Sequence, residues 1–448
     1  MNRSKDIRWS SHPIFVMAAA GTAAGLGHLW QFPALASEHG GGAFVLVYVA
    51  CLLLLGTPLL LAEILLGRAA RRSPLRAFRH FAPAGVGRRV GSLLGWIGLG
   101  VALLVASMDA VVGARGLYWL GASLTGGAPS SAGLADAIVA PGTLWIMLGI
   151  TGLTVVAIGW SRRGITRGVE VVIRFAMPLV LGLLAVVLAH AALSSGFGGA
   201  ASLLFQPDWH SVTLGTLWAA MGHALTTLGV GLGVSMAYSA YLPADSSPFR
   251  LGAGIVGIDL VVTLAMALIL LTFAASAGEP VPEGSALLFG SVTTNLAALP
   301  FGAWVMPLLF LIVVLAALIS IVTLSEPALS YLVEEYNARR PRVAITWGVF
   351  CWLLGAAVLL VFDSAPASSS VFMSESALLD VVSRHALLLV TLVFALFAGW
   401  RLPVSGISAP FPSTGSGGLQ LWRVWVGILI PLAIAAALVG SLIGTDAL

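Results

Sequence analysis

Charge is scarce in this 448-residue chain: Asp, Glu, Lys and Arg together make up 9% of it, where a soluble domain carries roughly 25%. A surface so poor in charge is not solvated by water, so lipid must cover it. Cysteine is almost missing as well. Cys51 and Cys351 both lie in apolar runs, which reads as two buried thiols and excludes a disulfide scaffold. Short alternating segments are lacking, which argues against a β-barrel. No HExxH, phosphate loop, CxxC pair or Ser/His/Asp set stands out, and the loops are too short for a catalytic domain, so no enzyme is expected. There is no soluble domain, linker or low-complexity tract. The formal charge of +4 does not point to nucleic acid, because the basic residues sit in short loops.

Apolar runs near the length of a membrane helix, about 20 residues, recur along the whole chain. Glycine is abundant at 52 residues, a composition that suits close helix packing in lipid. About eleven spans are expected, near 12–36, 43–67, 91–123, 141–160, 167–194, 211–240, 250–278, 300–336, 341–363, 374–400 and 419–443. The first run continues through a Gly-rich break into Trp30, Phe32 and Pro33, so it reads as a membrane helix and not as a signal peptide.

Basic residues alternate between loops. They cluster at Arg3, Lys5 and Arg8, from Arg68 to Arg89, at Arg162, Arg163 and Arg167, at Arg250, at Arg339, Arg340 and Arg342, and at Arg401. The intervening loops carry Asp136, Asp208, Glu279, Glu283 and Asp363 with no Lys or Arg. The positive-inside rule then predicts a multi-pass protein of the plasma (inner) membrane, with its N-terminus cytoplasmic and its C-terminus extracytoplasmic.

Span one is interrupted by Gly21, Gly25 and Gly27, and span six by Gly229, Gly231 and Gly233. Glycines in either run alone could serve only helix packing. Two Gly-broken segments in corresponding places are the pattern of a transporter binding site, and an offset of five spans makes the two halves inverted. One domain covering 1–448 is expected, with repeats near 12–194 and 211–400 and an extra helix near 419–443.

Three stretches carry a family resemblance: Gly21-Thr22-Ala23-Ala24-Gly25-Leu26-Gly27-His28-Leu29-Trp30-Gln31-Phe32-Pro33, Glu38-His39-Gly40-Gly41-Gly42-Ala43-Phe44, and Gly56-Thr57-Pro58-Leu59-Leu60-Leu61-Ala62-Glu63 through Gly67-Arg68. Gly222-His223-Ala224 through Gly233, Tyr238 to Leu242, and Ser325-Glu326-Pro327 add to them. Together they resemble the neurotransmitter:sodium symporters. The resemblance implies an all-α membrane fold like that of the bacterial leucine transporter, with two inverted five-helix repeats and broken helices one and six. It implies sodium-coupled uptake of a small amino acid or amine by alternating access.

Carried over by position, the resemblance implies a first sodium site at Ala23, His28, Thr227 and Asp259, and a second at Gly21, Ala24, Ala316 and Ser320. One or two sodium ions are expected. His28 stands where relatives have Asn, and a ring nitrogen is a poorer partner than oxygen for a hard cation. Ile319 stands where relatives have a second oxygen ligand. Chloride is not expected, because Asp259 in the matching pocket of Tyr48, His223, Thr227, Asp259 and Thr263 would repel an anion. The substrate is implied to meet Ala23, Gly25, Leu26, Gly27, Asp109, Thr226, Gly229 and Leu232. Asp109 replaces a Tyr that contacts the substrate carboxylate in relatives, so it would favour a cationic partner, either a substrate amine or protonated His28. Its structural alternative is a pair with Arg115. Gln31 and Asp380 match an outer gate, and Arg8 with Glu334 an inner one. Glu63 reads as structural, holding the broken sixth helix, and Arg174 as snorkelling or paired. Two other functions remain open: a proton-coupled variant, and a non-transporting receptor or partner that keeps the fold.

Overall fold

The computed structural model describes residues 8–23, 26–125, 142–243, 246–274, 281, 286–363, 381–402 and 415–443. The described residues are almost entirely helical. Span one consists of His12–Ala23 and Leu26–Glu38, and span two runs Gly42–Ala70 through a wide turn at Leu52–Gly56. Spans three to five are Val86–Leu124, Thr143–Ser161 and Ile165–Ala192. Span six is split into Leu214–Thr226 and Val234–Ser239. Spans seven to nine are Pro248–Ala274, Gly302–Tyr336 and Arg340–Asp363. Span ten covers Val382–Ala386 and Leu387–Arg401, and span eleven runs from Gly415 to Ile443. Among the described residues, eight helices are long and apolar enough to cross a membrane uninterrupted. Spans one, six and ten are the broken or shorter ones. This matches the spans read from the apolar runs.

Large apolar side chains point both ways. Phe15, Trp30, Phe32, Tyr48, Tyr238 and Phe310 are fully buried, whereas Phe175, Leu193, Trp304 and Leu144 are open. An apolar exterior of this kind requires hydrocarbon around it. Both cysteines are free and buried, as their apolar runs indicate.

Spans three and eight are the central pillars. Span three has 39 residues, about 58 Å of helix, more than the hydrocarbon thickness of about 30 Å. Its small residues let span eight approach closely. A Cβ on Gly113 would lie 2.5 Å from Ala317 Cβ, and one on Gly116 2.9 Å from Val313 Cγ1. Dispersion, not a hydrophobic drive, holds helices together in lipid, so contact distance sets the attraction. Spans ten and eleven cross the same way, with Gly399 against Gly427.

The two ends differ. At one end, Arg76 and Arg79 meet Glu334 and Glu335, and Arg340 binds Glu326 and the Ser161 carbonyl. This is the basic end. At the other, Gly42 N donates to Gln206 O, and Gly41 bridges Pro207. There Asp208 caps a short turn, accepting from Ser211 Oγ at 2.5 Å and from His210 N at 3.0 Å. These bonds hold the Asp208 carboxyl below the usual carboxylate range, the Ser211 bond foremost.

Candidate binding site at the two helix breaks

Span six starts as an ordinary helix. Thr213 caps it, its hydroxyl accepting from the Thr216 amide while Thr216 Oγ1 accepts from the Thr213 amide. The helix ends at Thr226. Gly229, Gly231 and Gly233 then take φ of 60°, 92° and 83°, a left-handed region that only glycine enters without strain. Gly231 is also confined by span ten, since a Cβ there would lie 2.7 Å from Val390 Cγ1 and 3.0 Å from Val390 O. The backbone freed by the break finds partners. Thr391 Oγ1 donates to Val230 O at 3.0 Å. Glu63 of span two, wholly buried, faces the amides of Gly231, Gly233 and Met236 without closing a hydrogen bond to any of them. A carboxylate facing several amides is the expected remedy for a helix start buried in lipid.

Span one is helical up to Ala23 and again from Leu26. Ala24 and Gly25 lie outside the described residues, as do the side chains of Ala23, Leu26 and His28. The break in span six adjoins this part of span one: a Cβ on Gly229 would sit 3.6 Å from Leu232 Cδ1 and 3.9 Å from Thr22 Cγ2. Thr226 turns its hydroxyl back to Gly222 O at 3.0 Å.

Two buried carboxylates flank this region. Asp259 of span seven accepts from Thr227 Oγ1, at 3.2 Å to one oxygen and 3.3 Å to the other. Both residues are essentially inaccessible. Tyr48 of span two lies beside the same group, its hydroxyl near Thr227 and Thr263 but hydrogen-bonded to neither. His223 packs beside it, its ring centroid 5.4 Å from Tyr48 and 5.5 Å from Phe32. This brings together the five pocket residues named from sequence.

Asp109 is the second carboxylate. Ser320 Oγ of span eight donates to Asp109 Oδ2 at 2.5 Å. The partnership links a residue read as a substrate contact to one read as an ion ligand. Ala316, one turn from Ser320, is buried on span eight, which packs on span one. Ile319 faces span one, its Cγ2 2.7 Å from where a Cβ on Gly21 would be. An apolar branch therefore occupies the space in front of Gly21, where an oxygen would be needed for an ion.

The gate residues divide differently from the sequence expectation. Glu334 does not wait for Arg8. It accepts from Arg76 Nη1 at 3.1 Å and from the Ser73 amide at 2.9 Å, because the short helix after span two delivers both groups to the end of span eight. Arg8 is exposed. The contacts next to Arg8 at the basic end are made by Trp9, Ser10 and His12. Trp9 Nε1 donates to Tyr238 O at 2.9 Å, with its ring edge-on to Tyr238. Ser10 bonds Glu170, which Arg174 also holds at 3.0 Å, and His12 Nε2 meets Ser246 Oγ at 2.8 Å. Arg174 is thus paired. Glu326, fully buried, is clamped by the two guanidinium nitrogens of Arg340. Gln31 is partly buried and Asp380 lies outside the described residues. The Arg340 contact was missed in the sequence. A Glu inside a span was the available signal.

Comparison with known proteins agrees with this geometry. The model of the Sodium:neurotransmitter symporter family matches residues 7–133 and 130–445. The uncharacterized sodium-dependent transporter YhdH of Bacillus subtilis is 30% identical over 97% of this chain and 97% of its own. An uncharacterized sodium-dependent transporter of Methanocaldococcus jannaschii is 25% identical over 89% of this chain and 80% of its own. The crystal structure of MhsT in complex with L-phenylalanine superposes with a TM-score of 0.84 at 26% identity, covering 97% of this chain and 99% of that one. With broken spans one and six side by side and a family match along nearly its whole length, the chain belongs to the sodium:neurotransmitter symporter family, whose members are transporters and not enzymes.

Proposed function

We propose that this protein moves a small amino acid or amine across the membrane in symport with sodium, by alternating access around the paired breaks in spans one and six. The observation that carries this reading is the break in span six, where three left-handed glycines end one helix directly after Thr227 and start another, beside span one. A helix end ahead of a break presents carbonyls to a cation, and the start of the next presents amides to an anion.

The proposed first sodium site comprises Ala23, His28, Thr227 and Asp259. The Thr227–Asp259 pair supports it, since a hydroxyl and a carboxylate are oxygen donors suited to a hard cation. The proposed second site comprises Gly21, Ala24, Ala316 and Ser320. Ile319 contributes no oxygen, but Asp109 brings a carboxylate to Ser320 from span three. We therefore read Asp109 as serving the second ion as well as bounding the substrate space formed with Ala23, Gly25, Leu26, Gly27, Thr226, Gly229 and Leu232. The orientation follows the arginine distribution, with the basic end in the cytoplasm. The MhsT structure contains L-phenylalanine, which supports an amino acid as the first substrate to try.

Uptake into proteoliposomes tests the reading, with sodium and proton gradients imposed independently and a panel of neutral amino acids, L-phenylalanine included, and simple amines. A sodium gradient is expected to drive accumulation of at least one of them. Accumulation driven only by a proton gradient would replace sodium by protons. Absence of uptake across the panel, together with absence of sodium-dependent thermal stabilisation, would leave a fold without transport.

A further inference from the structure

The short helix Pro74–Phe81 links span two to span three at the basic end, and both of its faces are engaged. Its apolar face reaches the transport pathway. Pro74 packs under the last glycine of the span-six break, so that a Cβ on Gly233 would lie 3.0 Å from Pro74 Cβ and Cγ and 3.7 Å from Pro327 of span eight. Leu75 fills the hollow at Gly95 of span three. Phe78 meets Phe397 of span ten edge-on at 4.8 Å and Phe394 at 6.3 Å.

Its polar face is tied to the end of span eight. Arg76 Nε holds Glu335 at 2.8 Å while its Nη1 holds Glu334 at 3.1 Å. Arg79 Nη1 holds the other Glu335 oxygen at 2.7 Å, its Nε donates to Ser92 Oγ at 2.6 Å, and its guanidinium lies 5.9 Å from the Tyr331 ring centroid. The Ser73 amide completes Glu334. Glu335 thus bridges two arginines one turn apart, and the four charges form one network. Networks and two-pronged pairs are where surface ion pairs have measurable worth.

We propose that Pro74–Phe81 is a latch for the basic end of the pathway: by holding Glu334 and Glu335, Arg76 and Arg79 keep the segment Val234–Ser239 seated on Pro74, and release of that network accompanies its opening. The latch rests on the alternating-access reading above. The physical reason is mechanical. Val234–Ser239 packs on spans two and eight, and Gly233 has no side chain with which to slide over Pro74. The segment therefore leaves only if the short helix moves with it or away from it, and either motion separates Arg76 and Arg79 from span eight. These four residues are positioning residues and touch neither solute nor ion.

The test uses the full chain with Cys51 and Cys351 replaced by Ala and a reporter cysteine at Ser235, which is 5% exposed and lies behind the latch. Its modification by a small membrane-permeant methanethiosulfonate is timed in native membranes. Glu335→Gln, which keeps the side chain's shape, should speed labelling by about twofold to tenfold, the range for partly exposed ion pairs in a network. Reversal of all four charges together, Arg76→Glu and Arg79→Glu with Glu334→Arg and Glu335→Arg, should return the rate toward that of the parent. Added choline chloride should speed the parent more than Glu335→Gln, in which only the Arg76–Glu334 pair is left to screen. Unchanged labelling in Glu335→Gln, or a reversal as fast as Glu335→Gln itself, would overturn the latch. The parent's own response to sodium reports separately on the transport reading, so the two failures are distinguishable.

Discussion

The two buried carboxylate–hydroxyl pairs differ in what carries them. Thr227–Asp259 joins span seven to a helix that stops one residue earlier, whereas Asp109–Ser320 joins two uninterrupted pillars packed glycine against alanine. The chemistry is nearly the same, an ionisable group inside a membrane made tolerable by a hydroxyl donor. The mobility is not. Backbone next to a break can change its direction at the cost of a few dihedrals, while spans three and eight are close-packed and shift only as bodies. Under the proposed function, the first pair responds to an ion's arrival and the second holds a charge at a constant place.

That contrast is broken most directly at Asp259. Asp259→Ala should weaken sodium-dependent thermal stabilisation of the purified protein by roughly tenfold to a hundredfold in apparent sodium affinity, the worth of about 1.5–3 kcal/mol for a bond to a charged group. Parental sodium affinity in this variant would remove Asp259 from the ion site.

Asp109→Asn sharpens the comparison. The amide still accepts from Ser320 Oγ, so folding should be retained, with a melting temperature near that of the parent. Sodium affinity should fall by less than in Asp259→Ala, on the order of threefold to tenfold if one charge-assisted bond becomes a neutral one. Sodium titrations of both variants, made side by side, decide the order. A larger loss at Asp109 would reverse the roles assigned to the two pairs.

The smallest effect is expected far from both, at the Asp208 cap of the end opposite the arginines. The Asp208 carboxyl titrates below the usual carboxylate range because Ser211 and the His210 amide donate to it. Its contribution is therefore fully present above the unfolded carboxylate pKa and lost as pH falls through the lower folded value. Asp208→Asn should lower the melting temperature slightly at neutral pH and not at all in strong acid. A difference from the parent that grows on acidification would contradict that sign.

Much of this architecture is legible along the chain. The spans follow from apolar runs between arginine-bearing loops, and the sixth break from Gly229, Gly231 and Gly233, because a positive φ is a local demand that only glycine meets cheaply. Thr227 and Asp259 were recognisable together through the family pattern, their numbers only 32 apart. The partner of Asp109 was not. Arg115 was the nearest candidate along the helix, but Ser320 lies 211 residues away and carries no local mark of facing span three. The inner contacts were misjudged for the same reason. Glu334 offered itself to any arginine at the basic end, and sequence distance gave no ground for preferring Arg76 to Arg8.

The amino-acid sequence by itself determined that this chain lies in a membrane, where its helices run and where two of them break, because lipid demands apolar length and satisfied backbone, and both are properties of contiguous residues. Only the tertiary structure decided which carboxylate meets which hydroxyl and which arginine holds which glutamate. Those choices depend on the rotation and depth of helices set by packing small residues such as Gly113 and Gly116 against span eight, and a shift of a single residue in that register would exchange every partner.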